Sequence, residues 1–309
     1  MSNAAVYATL DSLLEMRRHS HELPLAGRPV HAGQQTGRQL SRLRGRGIDF
    51  DQVRLYQPGD DIRNIDWRVT ARTRKAHTKI FNEERERPVF VICEQSERLF
   101  FGTQLRFKSV LAAEAGALIA WMALAHNDRV GGMVFGSREC HEIRPRRSRR
   151  AILQLLGRLL EGNHALGAPT DESGGEPLDL ALRRSREVIR PGSILYLLCD
   201  HAAIDGLSQP LLVALGAHND LVLLPIFDPL EASLPSSPAL EFVQGQQRLT
   251  LNTTASALRE AWAGQFLARQ QSWQRLANRL RCGLQPMDTS RNAVDQLRPL
   301  LSEHARRRS

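Results

Sequence analysis

Hydrophobic and polar positions fall into two regimes, and the more regular one begins at Pro88. The run Val89-Phe90-Val91-Ile92-Cys93 has no polar break. A β-branched and aromatic run of this length is the pattern of a strand covered on both faces. It stops at an acidic and polar tip, Glu94-Gln95-Ser96. The stripe Phe107, Leu111, Leu118, Trp121, Met122 and Ala125 then predicts a helix over 104–126, ended by Asn127-Asp128. Residues 129–135 read as a second strand, with Gly131-Gly132 inside it. Arg144 to Arg150 read as a basic loop opening a helix over 151–160, and the Gly-, Pro- and Ser-rich stretch 162–177 as a loop. A helix over 178–189, a Pro191-Gly192 turn and a strand over 193–199 follow, with Asp200 at the strand end. A helix over 208–216 leads to a strand over 221–227, terminated by Asp228-Pro229.

This β-α-β-α-α-β-α-β order predicts an α/β fold with a doubly wound, mostly parallel sheet. Right-handed crossovers put helices on both faces. The strands 89–93 and 193–199 are expected to be neighbours at the switch point, which brings Glu94, Ser96 and Asp200 to one rim. Ligands of open α/β sheets gather at such carboxyl ends.

The flanks are less regular. Val6, Leu10, Leu13 and Leu14 predict one N-terminal helix over 4–19, capped by Ser2 or Asn3. Pro24, Gly27, Pro29, Gly33 and Gly37 then break regular structure, and residues 23–50 read as extended, with a basic segment from Arg38 to Arg46. In 47–85, Pro58-Gly59 marks a tight turn. Asp49, Asp51, Arg54, Asp60, Asp61, Arg63, Asp66, Arg68 and Arg72 alternate around it, with Tyr56, Ile65 and Trp67 as apolar anchors. Two readings stand: a recognition clamp, or an ordered loop braced by carboxylate–guanidinium pairs, with Asp60, Asp61, Arg63, Asp66 and Trp67 largely structural. After 230 the pattern predicts a hairpin (240–243 and 248–251, turned at 244–246), then a long helix carrying Leu258, Trp262, Phe266, Trp273, Leu276 and Leu280. Gly283 is its expected C′ residue, and a last helix covers 291–306. The expected division is 1–85, 86–230 and 231–309, the last packing on the core.

Composition narrows function only coarsely. The 309 residues are 42% hydrophobic and 24% charged, as in an ordinary globular chain. The net charge of +9 permits nucleic acid, anionic lipid or an acidic partner without choosing among them. The longest apolar stretch, Ala112 to Ala125, contains Glu114 and is too short for a span. With no leader pattern at the start, a cytoplasmic location is the expectation. Cys93, Cys140, Cys199 and Cys282 form no C-x-x-C pair, and Cys93 and Cys199 end apolar runs as expected buried thiols. No nucleophile elbow, Walker loop or H-E-x-x-H occurs. His141, His164, His201 and His218 are scattered and read as surface or satisfied structural residues.

The residues Gly47-Ile48-Asp49-Phe50, Arg54-Leu55-Tyr56-Gln57-Pro58-Gly59-Asp60-Asp61, Arg63-Asn64-Ile65-Asp66-Trp67 and Ala71-Arg72 resemble the signature of the bacterial domain-of-unknown-function family 58. The resemblance runs from about residue 25 to near the end. It implies a von Willebrand factor A-like fold, in agreement with the sheet read from 89–227. It also implies association with a MoxR-type AAA+ ATPase, as a non-enzymatic adaptor or co-chaperone in the assembly or maturation of client proteins. Such domains often hold Mg²⁺ in an adhesion site of pattern D-x-S-x-S, completed by a Thr and an Asp. Glu94-Gln95-Ser96-Glu97-Arg98 stands in the first segment and Asp200 matches the later Asp, while Thr170 is a poor match for the Thr. Glu94 is a methylene too long and Arg98 replaces a hydroxyl ligand. The expectation is therefore a degenerate site of Glu94, Ser96 and Asp200, with Arg98 neutralising the acids in place of a metal. The alternative function is nucleic-acid binding through Arg144, Arg146, Arg147, Arg149, Arg150 and Arg306 to Arg308. A third is a hydrolase using Glu94, Asp200 and a metal.

Overall fold

In the computed structural model, residues 3–20, 48–57, 62–83, 87–137, 139–167, 177–244 and 247–306 are described. They form two units, residues 1–31 with 87–309, and residues 32–86. The chain opens with α1 (Asn3–Val6) and α2 (Leu10–His19) rather than one continuous helix. The break is at Thr9, which is extended and caps α2 by a reciprocal pair of bonds with Ser12. These helices belong to the larger unit: Leu13 is fully buried and Trp121 Nε1 donates to its carbonyl at 3.1 Å.

The smaller unit is built on an antiparallel pair, β1 (Ile48–Leu55) and β2 (His77–Glu83). Between them lie a 3₁₀ turn, Ile62–Asn64, and a short helix, α3 (Trp67–Thr73). The described part of 47–85, read as a recognition clamp or an ordered loop, is thus largely regular structure; Pro58, Gly59, Asp60 and Asp61 lie outside the described residues, as do most of 23–50 and Thr170.

The larger unit continues as β3 (Val89–Glu94), α4 (Lys108–Ala125), β4 (Val130–Phe135), β5 (Cys140–Arg146), α5 (Arg149–His164), α6 (Pro177–Val188), β6 (Ile194–Asp200), α7 (Gln209–Gly216), β7 (Asp220–Phe227) and the short α8 (Pro229–Ala232). A hairpin of β8 (Leu240–Gln244) and β9 (Gln247–Leu251), α9 (Ser256–Leu280), β10 (Gly283–Leu284), β11 (Met287–Asp288) and α10 (Ala293–Arg306) complete it. The sheet order is β5-β4-β3-β6-β7-β10, with β11 also on β7. All pairs are parallel except β5 against β4.

Residue parity along the strands divides the core. Val89, Val91, Cys93, Tyr196, Leu198, Val222 and Leu224 face the layer of α2, α4, α5 and α10. Phe90, Ile92, Leu195, Leu197, Cys199, Leu221 and Leu223 face the layer of α6, α7 and α9. Both parities are apolar because helices cover both faces, the doubly wound arrangement expected. The described sheet is thus parallel throughout except at one edge, where β5 runs antiparallel to β4.

Three expectations need correction here. Arg144 to Arg150, read as a basic loop, instead begin inside edge strand β5 (Cys140–Arg146) and end in the first turn of α5; only Ile143 in β5 is buried, so no apolar alternation marks it. Gly283 does not end α9: Arg281 takes the left-handed C-cap position at φ 52°, and Gly283 enters the sheet as β10. Finally, α4 has 18 residues and the length and composition to cross a bilayer, which Ala112 to Ala125 alone was too short to suggest; 89% of it is buried within the fold.

Candidate functional site

The carboxyl ends of β3 and β6 lie side by side, paired in parallel from Val89 with Ile194 to Cys93 with Leu198. The sheet therefore places Glu94, Ser96 and Asp200 together, each at most 3% exposed. Ser96 donates its hydroxyl to Glu94 Oε1 at 2.5 Å, and the Asp200 N–H donates to Glu94 Oε2 at 2.8 Å. Asp200 Oδ1 accepts the Ala202 N–H at 2.8 Å. Its Oδ2 accepts Lys108 Nζ at 2.5 Å, and the same ammonium reaches Glu231 Oε1 at 2.7 Å.

Lys108 is therefore the cation of the rim. Arg98, expected to fill that role, is exposed and only weakly favours the Glu94 charge. Lys108 is the first residue of α4 and is 1% exposed. A cation there opposes the helix dipole, which favours anions at an N-terminus. Burial pulls its pKa down, but the Asp200 and Glu231 carboxylates outweigh this and hold it above the ordinary value, so it stays charged. Burial pushes the Glu94 carboxyl up, as does the neighbouring Asp200 charge, against the bonds from Ser96 and the Asp200 N–H.

A second buried acid supports Glu231 from behind. Asp228 accepts the Thr103 N–H at 2.7 Å, the Thr103 hydroxyl at 2.5 Å, the Leu230 N–H at 2.9 Å and the Thr289 hydroxyl. Burial works against its charge, yet these bonds hold its carboxyl below the ordinary range. The Asp228 N–H in turn donates to Glu231 Oε2 at 2.8 Å. Gln95, at the strand tip, points inward: its Nε2 donates to the Ser109 carbonyl at 3.0 Å and its Oε1 accepts Asn163 Nδ2 at 3.1 Å.

A divalent ion at this rim needs carboxylate and hydroxyl oxygens with lone pairs directed into an open position. Every oxygen of Glu94 and Asp200 already accepts a donor, and a metal on Asp200 would lie against the Lys108 charge. The donor set fits an ammonium and does not fit a hydrated divalent cation. Among the described residues, no group of three or more His, Cys, Asp or Glu side chains is placed to hold a metal.

Sequence reasoning missed Lys108, Glu231, Thr103 and Thr289. They come from segments distant in the chain, and only Lys108 carried a signal, a lone cation at the head of an apolar helix. His201 departs from expectation as well. It is 3% exposed, its Nε2 is buried without a hydrogen-bond partner, and its ring stacks on Phe266 at 4.5 Å.

In the smaller unit, Asp66 caps α3, accepting the N–H groups of Arg68 and Val69 at 3.0 and 3.1 Å. Tyr56 is half-buried and its N–H donates to the Ala76 carbonyl at 2.8 Å, while Arg54 Nη1 donates to the Leu55 carbonyl at 3.1 Å. Arg63 and Arg72 are exposed. Trp67, expected as an apolar anchor, is 70% exposed. It follows the cap, at the start of a helix with no buried residue.

The basic groove between β5 and α5 is lined by Arg144, Arg146, Arg150 and Arg158 together with Glu142 and Glu161. Arg144 pairs with Glu142 and Arg158 with Glu161.

Residues 52–272 match the family described as Protein of unknown function DUF58. Uncharacterized proteins of Mycobacterium bovis and Mycobacterium tuberculosis are 27% identical over 202 residues, 64% of this chain and 61% of theirs. The match thus spans about 61% of the length of those relatives. Among solved structures, the conserved hypothetical protein BatB from Bacteroides thetaiotaomicron aligns with a TM-score of 0.41 at 12% identity, over 71% of this chain and 98% of that one. The SpRpn10 VWA domain aligns with a TM-score of 0.31 at 12% identity, over 69% and 94%.

Proposed function

The chain belongs to the family described as Protein of unknown function DUF58, and from that premise we propose that it is a non-enzymatic protein-interaction adaptor acting with a MoxR-type AAA+ ATPase on client proteins. The observation that carries this reading is in the family-signature segment. There Trp67 is 70% exposed and Ile62 65% exposed, apolar surface of the kind that interfaces enrich. The rim supports the non-enzymatic part. Its carboxylates are buried and committed to internal donors, so they lack the open geometry of a general base.

Co-purification of the full chain with the ATPase, with and without ATP, tests the reading. Capture is expected for the native chain, and a loss of at least about tenfold in affinity for Trp67→Ala, the size of effect typical of an aromatic hot spot. No association in either nucleotide state overturns it. The nucleic-acid alternative gains nothing from the β5–α5 groove, where two of the four guanidinium groups already face carboxylates.

A further inference from the structure

We propose that the groove between β5 and α5 docks an acidic, extended segment of a partner protein. The groove encloses about 670 Å³. One side is a single stripe of α5, Arg150, Gln154, Gly157, Arg158 and Glu161, spaced at helical intervals. The other side is the edge strand, with Arg144 and Arg146. Five of the seven residues from 144 to 150 are arginines, and they lead into a first turn of α5 that holds no acidic residue. Helix N-termini favour anions, so guanidinium groups gathered there oppose the dipole and repel one another. The fold thus keeps an unbalanced positive field at the mouth of this groove.

The chemistry of the occupant follows from which guanidinium groups are already taken. Arg144 Nε donates to Glu142 at 3.1 Å and Arg158 Nη1 to Glu161 at 2.6 Å, so the chain itself seats carboxylates on these arginines. Both pairs are exposed and hold little energy. Arg146 and Arg150 have no such partner among the described residues. A segment with a few Asp or Glu side chains supplies carboxylates in the fork geometry that guanidinium groups bind. A nucleic-acid backbone suits the groove less, because its continuous phosphates would press against Glu142 and Glu161. Pro145 removes a donor from β5, and Arg184 already donates to the Cys140 carbonyl at 3.3 Å, so the segment lies in the groove and does not extend the sheet. Gly157 leaves it room. A helix interior disfavours glycine, and a Cβ at Gly157 would meet nothing within 4 Å, so packing within the fold does not call for it. The inference rests on the protein-interaction reading, but it concerns the larger unit, whereas Trp67 is in the smaller one, and it needs no ATPase.

Fluorescence anisotropy of a labelled oligoglutamate peptide, titrated with the full chain at about 0.1 M and about 1 M salt, is the test. Saturable binding is expected at the lower salt, and a marked weakening at the higher, where screening is nearly complete. Arg146→Ala/Arg150→Ala should lose at least about tenfold in affinity, as for arginine hot spots. Arg275→Ala/Arg279→Ala removes the same charge from exposed positions on α9 and should bind as the native chain does. Gly157→Gln, which fills the groove, should lose binding with no fall in melting temperature, a combination that a glycine serving only the fold would not give. Trp67→Ala should leave peptide binding unchanged, so failure of ATPase capture and failure of the groove are read separately. No saturable binding at the lower salt overturns the proposal, as does native affinity in a folded Arg146→Ala/Arg150→Ala or Gly157→Gln. Tighter binding of an oligothymidylate of the same length overturns it in favour of nucleic acid. Should the double arginine variant fail to fold, Gly157→Gln decides.

Discussion

His201 follows Asp200 directly and turns its ring inward, 4.5 Å from the Phe266 ring and 5.9 Å from that of Phe227. Burial lowers its pKa from 6.5 to about 4, the nearby Asp200 and Asp205 charges opposing and the Arg269 and Lys108 charges assisting. The folded protein therefore holds it neutral while the unfolded chain binds a proton below pH 6.5. Stability from this group is fully present above pH 6.5 and is lost as pH falls toward 4. The loss amounts to about 3 kcal/mol at most. Glu94 acts in the opposite sense, because its raised pKa means that acidification relieves a buried charge. The contribution of His201 is thus read as a difference. His201→Phe should show a shallower decline in melting temperature from pH 7 to pH 4 than the native chain, and parallel curves would refute it. The sequence placed His201 next to an expected rim residue but gave no hint of its burial. Phe266, which covers it, is 65 positions further along the chain.

At the scale of elements, the strands buried on both faces were legible because their apolar runs are unbroken, and α4 because its stripe is long. Edge strand β5 was not legible. Ile143 is its one buried residue, and Pro145 suits an edge that donates no further ladder bonds. Gly131 and Gly132 were read as strand residues, and β4 shows what Gly132 does. A Cβ on Gly132 would lie 2.8 Å from the Val91 carbonyl oxygen and 2.9 Å from Leu155 Cδ1. Absence of a side chain there lets α5 settle onto β4 beside β3. Gly132→Ala should cost about 1–3 kcal/mol by overpacking, measured by denaturant unfolding. A change within error of zero would mean that α5 shifts freely. Since β4 pairs with β3 up to Glu94 and Phe135, the displacement would also reach the rim.

The whole molecule sets which segments belong together. The N-terminal helices were grouped with the signature segment by their position in the chain, yet α2 packs across α4, with Leu13 at 0% exposure and Arg17 5.7 Å from the Trp121 ring. Ala8 adds a bond from its N–H to Asn163 Oδ1 at 2.7 Å, joining the chain start to α5 and, through Asn163, to Gln95. Leu13→Ala should therefore destabilise the larger unit by about 2–5 kcal/mol, the range for a fully buried leucine. A loss below about 1 kcal/mol in chemical denaturation would show α2 to be peripheral. By itself the sequence determined the doubly wound sheet, the adjacency of β3 and β6 and the meeting of Glu94, Ser96 and Asp200. Those follow from local periodicity and the handedness of crossovers, which act over a few tens of residues. Tertiary structure alone decided the cation at the rim. Lys108, Asp200 and Glu231 are separated by up to 123 positions, and no local pattern distinguishes a lysine that folds inward onto two carboxylates from one that points to water.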